Sequence, residues 1–291
     1  NGEWVPWKEV KLSPEDRGFG VADVVFDVAR TFNGKPFELD SHIDRLYRSL
    51  KYVRIDPGLS ADEMTAICEE GIRRNEKHLE EAGDFTINPW VTRGLSIDGP
   101  ATVCVAIKPV NFANFARSYV EGAHGVVART RSYPSDVMDP KVKHHSRLNF
   151  VLAELEAKDV DPDASAILLD MDGNLTEGIG YNVFLVKDGV LKTATDRSIL
   201  QGVSRGVLLE IAEQLGIPVA EEDLQPYDLY TADEVFFSRT SPRIIPVSKV
   251  DNRPVGDVFP GPITEQLLAA HSERVGVDIV GQALHHAGIE S

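Results

Sequence analysis

Two side chains in this sequence have the types and surroundings for covalent chemistry at carbonyl and amine carbons: Lys143 and Glu177, inside the stretch KVKHHSRLNFVLAELEAKDVDPDASAILLDMDGNLTEGIGYN at 141–182. The lysine stands just before an apolar-periodic helix, and the glutamate lies on a strand that follows a tight turn. A lysine whose surroundings lower its proton affinity becomes a nucleophile toward carbonyl carbon. Such chemistry calls for an electron sink, of which pyridoxal phosphate is the common one. A carboxylate facing its ring nitrogen keeps that nitrogen protonated, so that the ring takes up carbanion charge. Spacing alone also suits a solvated lysine and an ordinary strand glutamate, and Lys141 competes with Lys143 for the role.

The flanking elements must position these groups. VVFDVART at Val24 to Thr31 has strand composition, and Asn33-Gly34 returns the chain as a hairpin. Asp40 or Ser41 is expected to cap a helix with Ile43, Leu46, Leu50 and Val53 on its apolar face. Arg45 on that helix is either a solvated arginine or an anion clamp. A second amphipathic helix is expected over Ala61 to Glu81, then strands at Phe85 to Thr92 and Ala101 to Ile107. PVNFANFAR breaks the pattern, which divides the chain into a small N-terminal domain at 1–112, a linker at 113–118 and a large domain at 119–291. In the large domain, the helix from about Ser146 to Lys158 is expected to bury Leu148, Val151, Leu152 and Leu155. Further on, LQGVSRGVLLEIAEQLG places Ser204 at a helix start, where unpaired N–H groups and the positive dipole end make an anion site. Thr240 and Ser241, in the turn after VFFS, offer hydroxyl and N–H donors to a second edge of the same anion. The tail after Val280 reads as peripheral.

Composition bounds the function. The chain has 291 residues, 42% of them hydrophobic, enough for a sizeable core and for two domains. A net charge of −16 disfavours nucleic acid and anionic membranes as partners while leaving room for a local phosphate site. Cys68 and Cys104 are too few for a disulfide framework and suit a reducing cytoplasm. No signal peptide or membrane span is expected. No metal site is expected either, because His144-His145 and His285-His286 lack companions at ligand spacing.

Taken together, FELDSHIDRLYRS, VKHHSRLNFVLAELEA, LTEGIGYNVFLVKDGVLKT, ILQGVSRGVLLEIA, ADEVFFSRTSPRIIPV and GPIT, in that order over nearly the whole chain, resemble the class IV, fold-type IV pyridoxal-phosphate-dependent aminotransferases. That group includes branched-chain and D-amino acid aminotransferases, (R)-selective amine transaminases and aminodeoxychorismate lyase. The resemblance implies a mixed α/β fold, with a small N-terminal α/β domain and a larger C-terminal domain on a β-barrel-like core. It implies a homodimer whose sites draw on both subunits. By block register it makes Lys143 the Schiff-base lysine and Glu177 the partner of the pyridine nitrogen. It also places Arg45, Val203, Ser204 and Thr240 around the cofactor phosphate.

Departures from the family pattern bear on substrate. The Asn-Tyr pair that follows the lysine in branched-chain enzymes is absent from His144-His145-Ser146-Arg147-Leu148, and Phe26 stands where several relatives have tyrosine. The Leu95 to Pro100 loop lacks the Arg and His that hold a substrate carboxylate in D-amino acid enzymes, and Arg239 and Arg243 are candidate replacements. Asp27 and Val28 flank the place of the lyases' threonine. Phe26 and Val28 make an apolar wall, with Ser241 and Arg239 completing the expected pocket. The expected reaction moves an amino group from an (R)-amine or amino acid to a 2-oxo acid such as pyruvate. A branched-chain or D-amino acid aminotransferase, and a lyase on the same scaffold, are the alternatives.

Overall fold

The computed structural model describes residues 1–290, and the chain divides into two compact units. The first comprises Asn1–Val110 together with Val142–Ser146, and the second Asn111–Lys141 together with Arg147–Ser291.

In the first unit, β1 (Val24–Phe26), β2 (Ala29–Phe32), β3 (Lys35–Phe37), β4 (Phe85–Thr92) and β5 (Thr102–Pro109) form one sheet in the order β1-β4-β2-β3, with β5 on β4. Its helices are α1 (Arg17–Gly20), α2 (Leu39–Val53), α3 (Ala61–Asn75) and α4 (Leu79–Ala82). Leu46 and Leu50 of α2 and Met64 and Cys68 of α3 close a core with Val25, Ile87, Val91 and Val142. The strand expected over 24–31 is broken at Asp27-Val28, because the Asp27 carboxylate accepts the Val28 N–H at 2.7 Å and takes it out of the ladder. Asn33 and Gly34 form the expected turn with φ of 51° and 74°. Its N–H groups donate to the buried carboxylate of Asp84 at 3.2 and 3.0 Å. Neither Asp40 nor Ser41 caps α2. The cap position is Glu38, in the left-handed region, and Ser41 Oγ donates to its carboxylate at 3.0 Å.

The second unit holds β6 (Ala123–Arg131), β7 (Ser165–Leu169), β8 (Glu177–Gly178), β9 (Tyr181–Lys187), β10 (Val190–Thr193), β11 (Val219–Glu221), β12 (Glu234–Arg239), β13 (Arg243–Val250) and β14 (Arg253–Pro254). They form a curled, half-barrel sheet in the order β11-β10-β9-β12-β13-β6-β7, with β8 on β9 and β14 on β13. Around it lie α5 (Ser118–Glu121), α6 (Leu148–Val160), α7 (Val203–Gln214), α8 (Pro226–Tyr230), α9 (Pro262–Val275) and α10 (Ile279–Ala287). At the stretch 113–118, expected as a linker, Phe115 and Ala116 are buried, as is Phe112 just before it, which stacks on His286 of α10. The tail is therefore a docked helix, with Ile279, Ala283 and Leu284 inward.

The expected inward face of α6 is its outward face. Leu148 is 75% exposed, and Val151, Leu152 and Leu155 are also exposed. Phe150, Ala153 and Ala157 pack instead against Val126 and Ala128 of β6 and Ala166 and Leu168 of β7. Small side chains at 153 and 157 let the helix approach the parallel β6/β7 pair closely, and periodicity alone does not say which of two apolar stripes meets the sheet.

Candidate active site

In the second unit, three side chains stand in a row across neighbouring strands. Glu177 of β8 pairs in register with Asn182 of β9, and Asn182 with Ser238 of β12. Cross-strand partners share a face, so all three project to the same side of the sheet. Glu177 is buried, and its Oε2 accepts from Asn182 Nδ2 and from the Leu200 N–H, both at 3.1 Å. A buried carboxylate so held is a fixed acceptor for a ring N–H.

At α7 the cap is Gly202, with φ −63° and ψ 129°, and no side chain closes the helix end. Ser204, expected at the helix start, lies in the first turn, and its buried Oγ has no hydrogen-bond partner. The first backbone bond into the helix is Gly206 N–H to Gly202 O at 2.9 Å, so the N–H groups of Val203, Ser204 and Arg205 precede the helical ladder. An uncapped helix start with an unused buried hydroxyl suits a phosphate. Glu177 suits a pyridinium N–H, so both charged ends of pyridoxal phosphate find matching groups here.

The turn carrying Thr240 and Ser241 is braced from behind. Arg243 is fully buried at φ 63°, donates through Nη1 to Thr240 O at 3.3 Å and through Nε to His271 Nε2 at 2.9 Å. The Tyr119 hydroxyl donates to Pro242 O. Arg239 follows Ser238 in β12 and so faces the opposite side of the sheet from the Glu177 row. A Cβ at Gly180 would stand 3.8 Å from its Nε, and its charge offsets part of the burial that pushes the Glu154 carboxyl up. The two arginines considered as carboxylate clamps are thus placed behind the turn and on the far face.

In the first unit, the segment carrying Lys143 is added to the edge of β1. The Phe26 N–H donates to Lys143 O at 3.0 Å, Val25 and His144 form an antiparallel bridge, and the Lys143 N–H donates to Ser49 Oγ at 3.1 Å. Val142 is anchored in the core next to it. Lys143 Nζ lies 4.8 Å from the centre of the Phe26 ring, an apolar neighbour. Val28, expected on the same wall as Phe26, is half-buried beyond the break in the strand. Lys141 instead pairs with Asp139 at 3.1 Å and is half-buried.

Arg45 is buried. Its Nε and Nη2 donate to Asp27 Oδ2 and Oδ1, both at 2.8 Å, and His42 Nδ1 lies 2.6 Å from Oδ1. Burial alone would raise the Asp27 carboxyl, but the charges of Arg45 and His42 and their hydrogen bonds hold it well below the usual carboxylate range. Asp27, noted in the sequence only for its position, is thus the residue that orients Arg45. Asn182, Leu200 and Ser238 join the site through contacts that their residue types alone do not announce. For Asn182 a signal existed, since the two-residue turn Ile179-Gly180 sets residues 177 and 182 opposite one another.

Known proteins resemble this chain over most of its length. A protein named "Putative branched-chain-amino-acid aminotransferase" from Methanocaldococcus jannaschii is 38% identical over 276 residues, 92% of each chain. The D-alanine aminotransferase of Staphylococcus haemolyticus is 32% identical over 273 residues, 92% of this chain and 93% of its own. The structure of the Escherichia coli branched-chain amino acid aminotransferase superposes with a TM-score of 0.86 at 29% identity, over 97% of this chain and 94% of that one. The Thermoproteus uzoniensis branched-chain aminotransferase, solved with norvaline, gives 0.80 at 28% identity, over 99% and 95%. Residues 24–250 match the family described as amino-transferase class IV, and with most of the chain covered by that match the protein belongs to this family.

Proposed function

We propose that the protein is a pyridoxal-phosphate-dependent transaminase that moves an amino group from an (R)-amine or amino acid to a 2-oxo acid such as pyruvate. The observation that carries this reading is the second-unit cradle, a held Glu177 carboxylate together with the unpartnered buried hydroxyl of Ser204 at an uncapped helix start. Pyridoxal phosphate, when bound, supplies the electron sink that makes the donor's Cα acidic. Lys143 would hold the cofactor and, as a free amine, would move the proton at the donor's Cα. Glu177 keeps the ring nitrogen protonated. Val203 and Ser204, with Thr240 and Arg45, hold the phosphate.

The donor is an (R)-amine without a carboxylate, with Phe26, Val28 and Ser241 contributing to its pocket. The Leu95 to Pro100 loop carries no cation, Arg243 is tied to Thr240 O and His271, and Arg239 faces away from the Glu177 row. A carboxylate buried without a cation or N–H partner is costly. Similarity to branched-chain and D-alanine aminotransferases supports a second reading, an amino-acid donor whose carboxylate meets the N–H groups of the Thr240-Ser241 turn. A donor and acceptor panel with chiral analysis separates them. Turnover of (R)-1-phenylethylamine with pyruvate, and little with the (S)-enantiomer, supports the first. Faster turnover of L-leucine, L-valine or D-alanine by a wide margin overturns it, and pyruvate released without an acceptor marks a lyase.

The exposed stripe Leu148, Val151, Leu152 and Leu155 on α6 supports a homodimer, a second copy covering an apolar face of helical spacing. The two free cysteines suit a cytoplasmic enzyme. Among the described residues no helix is long and apolar enough to cross a membrane.

A further inference from the structure

We propose that Asn182 is a positioning residue that ties the ring-nitrogen end of the cofactor site to its phosphate end, and that position 202 is glycine because Asn182 occupies the space a side chain would need. The inference rests on the transaminase reading above and extends it to how the two ends of the cradle are kept in register.

Asn182 is buried and its Nδ2 donates twice, to Glu177 Oε2 at 3.1 Å and to Leu200 O at 3.0 Å. The Leu200 N–H returns to the same carboxylate oxygen at 3.1 Å, so one side-chain amide and one peptide clamp Glu177 together. The other end of the amide meets α7. A Cβ built on Gly202 would lie 2.1 Å from Asn182 Oδ1, closer than real atoms approach, and 3.3 Å from Asn182 Cγ.

Gly202 does not need its conformational freedom, because φ −63° and ψ 129° are open to every residue. Helix caps with such angles favour Ser, Thr, Asp or Asn, whose side chains accept first-turn N–H groups. Here such a side chain is shut out by Asn182. The consequence is a helix start whose N–H groups stay available to an external anion, at a position fixed relative to Glu177. Asn182 therefore acts at both ends, while Gly202 matters at the phosphate end alone.

The test measures dissociation constants of pyridoxal phosphate and of phosphate-free pyridoxal for the full chain and for Gly202→Ala, Asn182→Ala and the double variant. Gly206→Ala, on the same helix where a Cβ meets nothing within 4 Å, is the control for adding a methyl group. Gly202→Ala is expected to weaken pyridoxal phosphate about tenfold and leave pyridoxal unchanged, while Asn182→Ala weakens both. In the double variant the added methyl costs less than about twofold, because its obstacle is gone and the penalties do not add. Additive penalties, or a Gly202→Ala variant that binds pyridoxal phosphate like Gly206→Ala, overturn the inference. Should Asn182→Ala not fold, the contrast between Gly202→Ala and Gly206→Ala on the two probes decides alone. Glu177→Gln separates the levels: if it weakens binding while the 182/202 pair shows no coupling, only this inference falls. If the unmodified chain binds no pyridoxal phosphate, the reading beneath it falls too.

Discussion

His271 offers a test of the buried brace behind the Thr240-Ser241 turn. It is fully buried on α9 and its Nε2 accepts from Arg243 Nε at 2.9 Å, which requires a neutral ring with that nitrogen unprotonated. Burial, then the charges of Arg243 and Arg274, push the imidazole down to about 2. The unfolded chain binds a proton at this residue near the ordinary histidine value of about 6.5, whereas the folded chain does not until far lower pH. The unfolded state therefore holds more protons as pH falls below about 6.5, and the folded state loses stability over that window. Between about pH 7.5 and about pH 5.5 the loss from this one group is between about 1 and 2 kcal/mol, since the unfolded-state population protonates roughly tenfold in excess. For a chain of this size that is a few degrees in Tm. Calorimetric melting of the unmodified protein and of His271→Gln, which retains an acceptor for Arg243, measures it at both pH values. The other histidines are common to both proteins and cancel in the comparison, so the Gln variant should show a smaller drop in Tm. Equal drops would mean that the folded ring takes up a proton, and the neutral His271–Arg243 pair would be refuted.

Arg45→Ala leaves Asp27 as a buried anion with its main partner gone and should cost on the order of 3 kcal/mol in folding of the first unit. The double variant Arg45→Ala, Asp27→Ala should recover part of that loss. All three tryptophans lie in the first unit, so fluorescence-monitored denaturation reads it, and additive losses would deny the pairing. For the proposed homodimer, the unmodified chain should sediment as a dimer and the α6 variant Leu152→Glu with Leu155→Glu as a monomer with its fold retained. An unchanged dimer would place the interface elsewhere.

How far the sequence reaches depends on the separation of the partners. Elements specified by neighbours are legible: the Asn33-Gly34 turn, the start of α7 near Ser204, and the α2 stripe of Ile43, Leu46 and Leu50 all appear as read. The mixed α/β, fold-type IV architecture follows from ordered blocks. What escapes the reading is set by contacts at long separation. Nothing near Arg45 in the sequence reveals Asp27, 18 residues away, as its bidentate partner. Arg239 and Arg243 looked equivalent as cations, yet strand alternation sends one to the far face, and a left-handed backbone buries the other. On α6 two apolar stripes compete, and the tight fit of Ala153 and Ala157 on the sheet decides against the larger leucines. The Asn182 clamp requires Leu200 to return beside Glu177, a closure that composition does not announce.

The central claim is that Lys143 carries the cofactor, and reduction of the pyridoxal-phosphate-loaded protein with borohydride followed by peptide mapping tests it most directly. The account predicts one stable phosphopyridoxyl adduct on Lys143, its loss in Lys143→Ala, and an unaltered adduct in Lys141→Ala, whose lysine is paired with Asp139. An adduct on Lys141 or on any other lysine would contradict it.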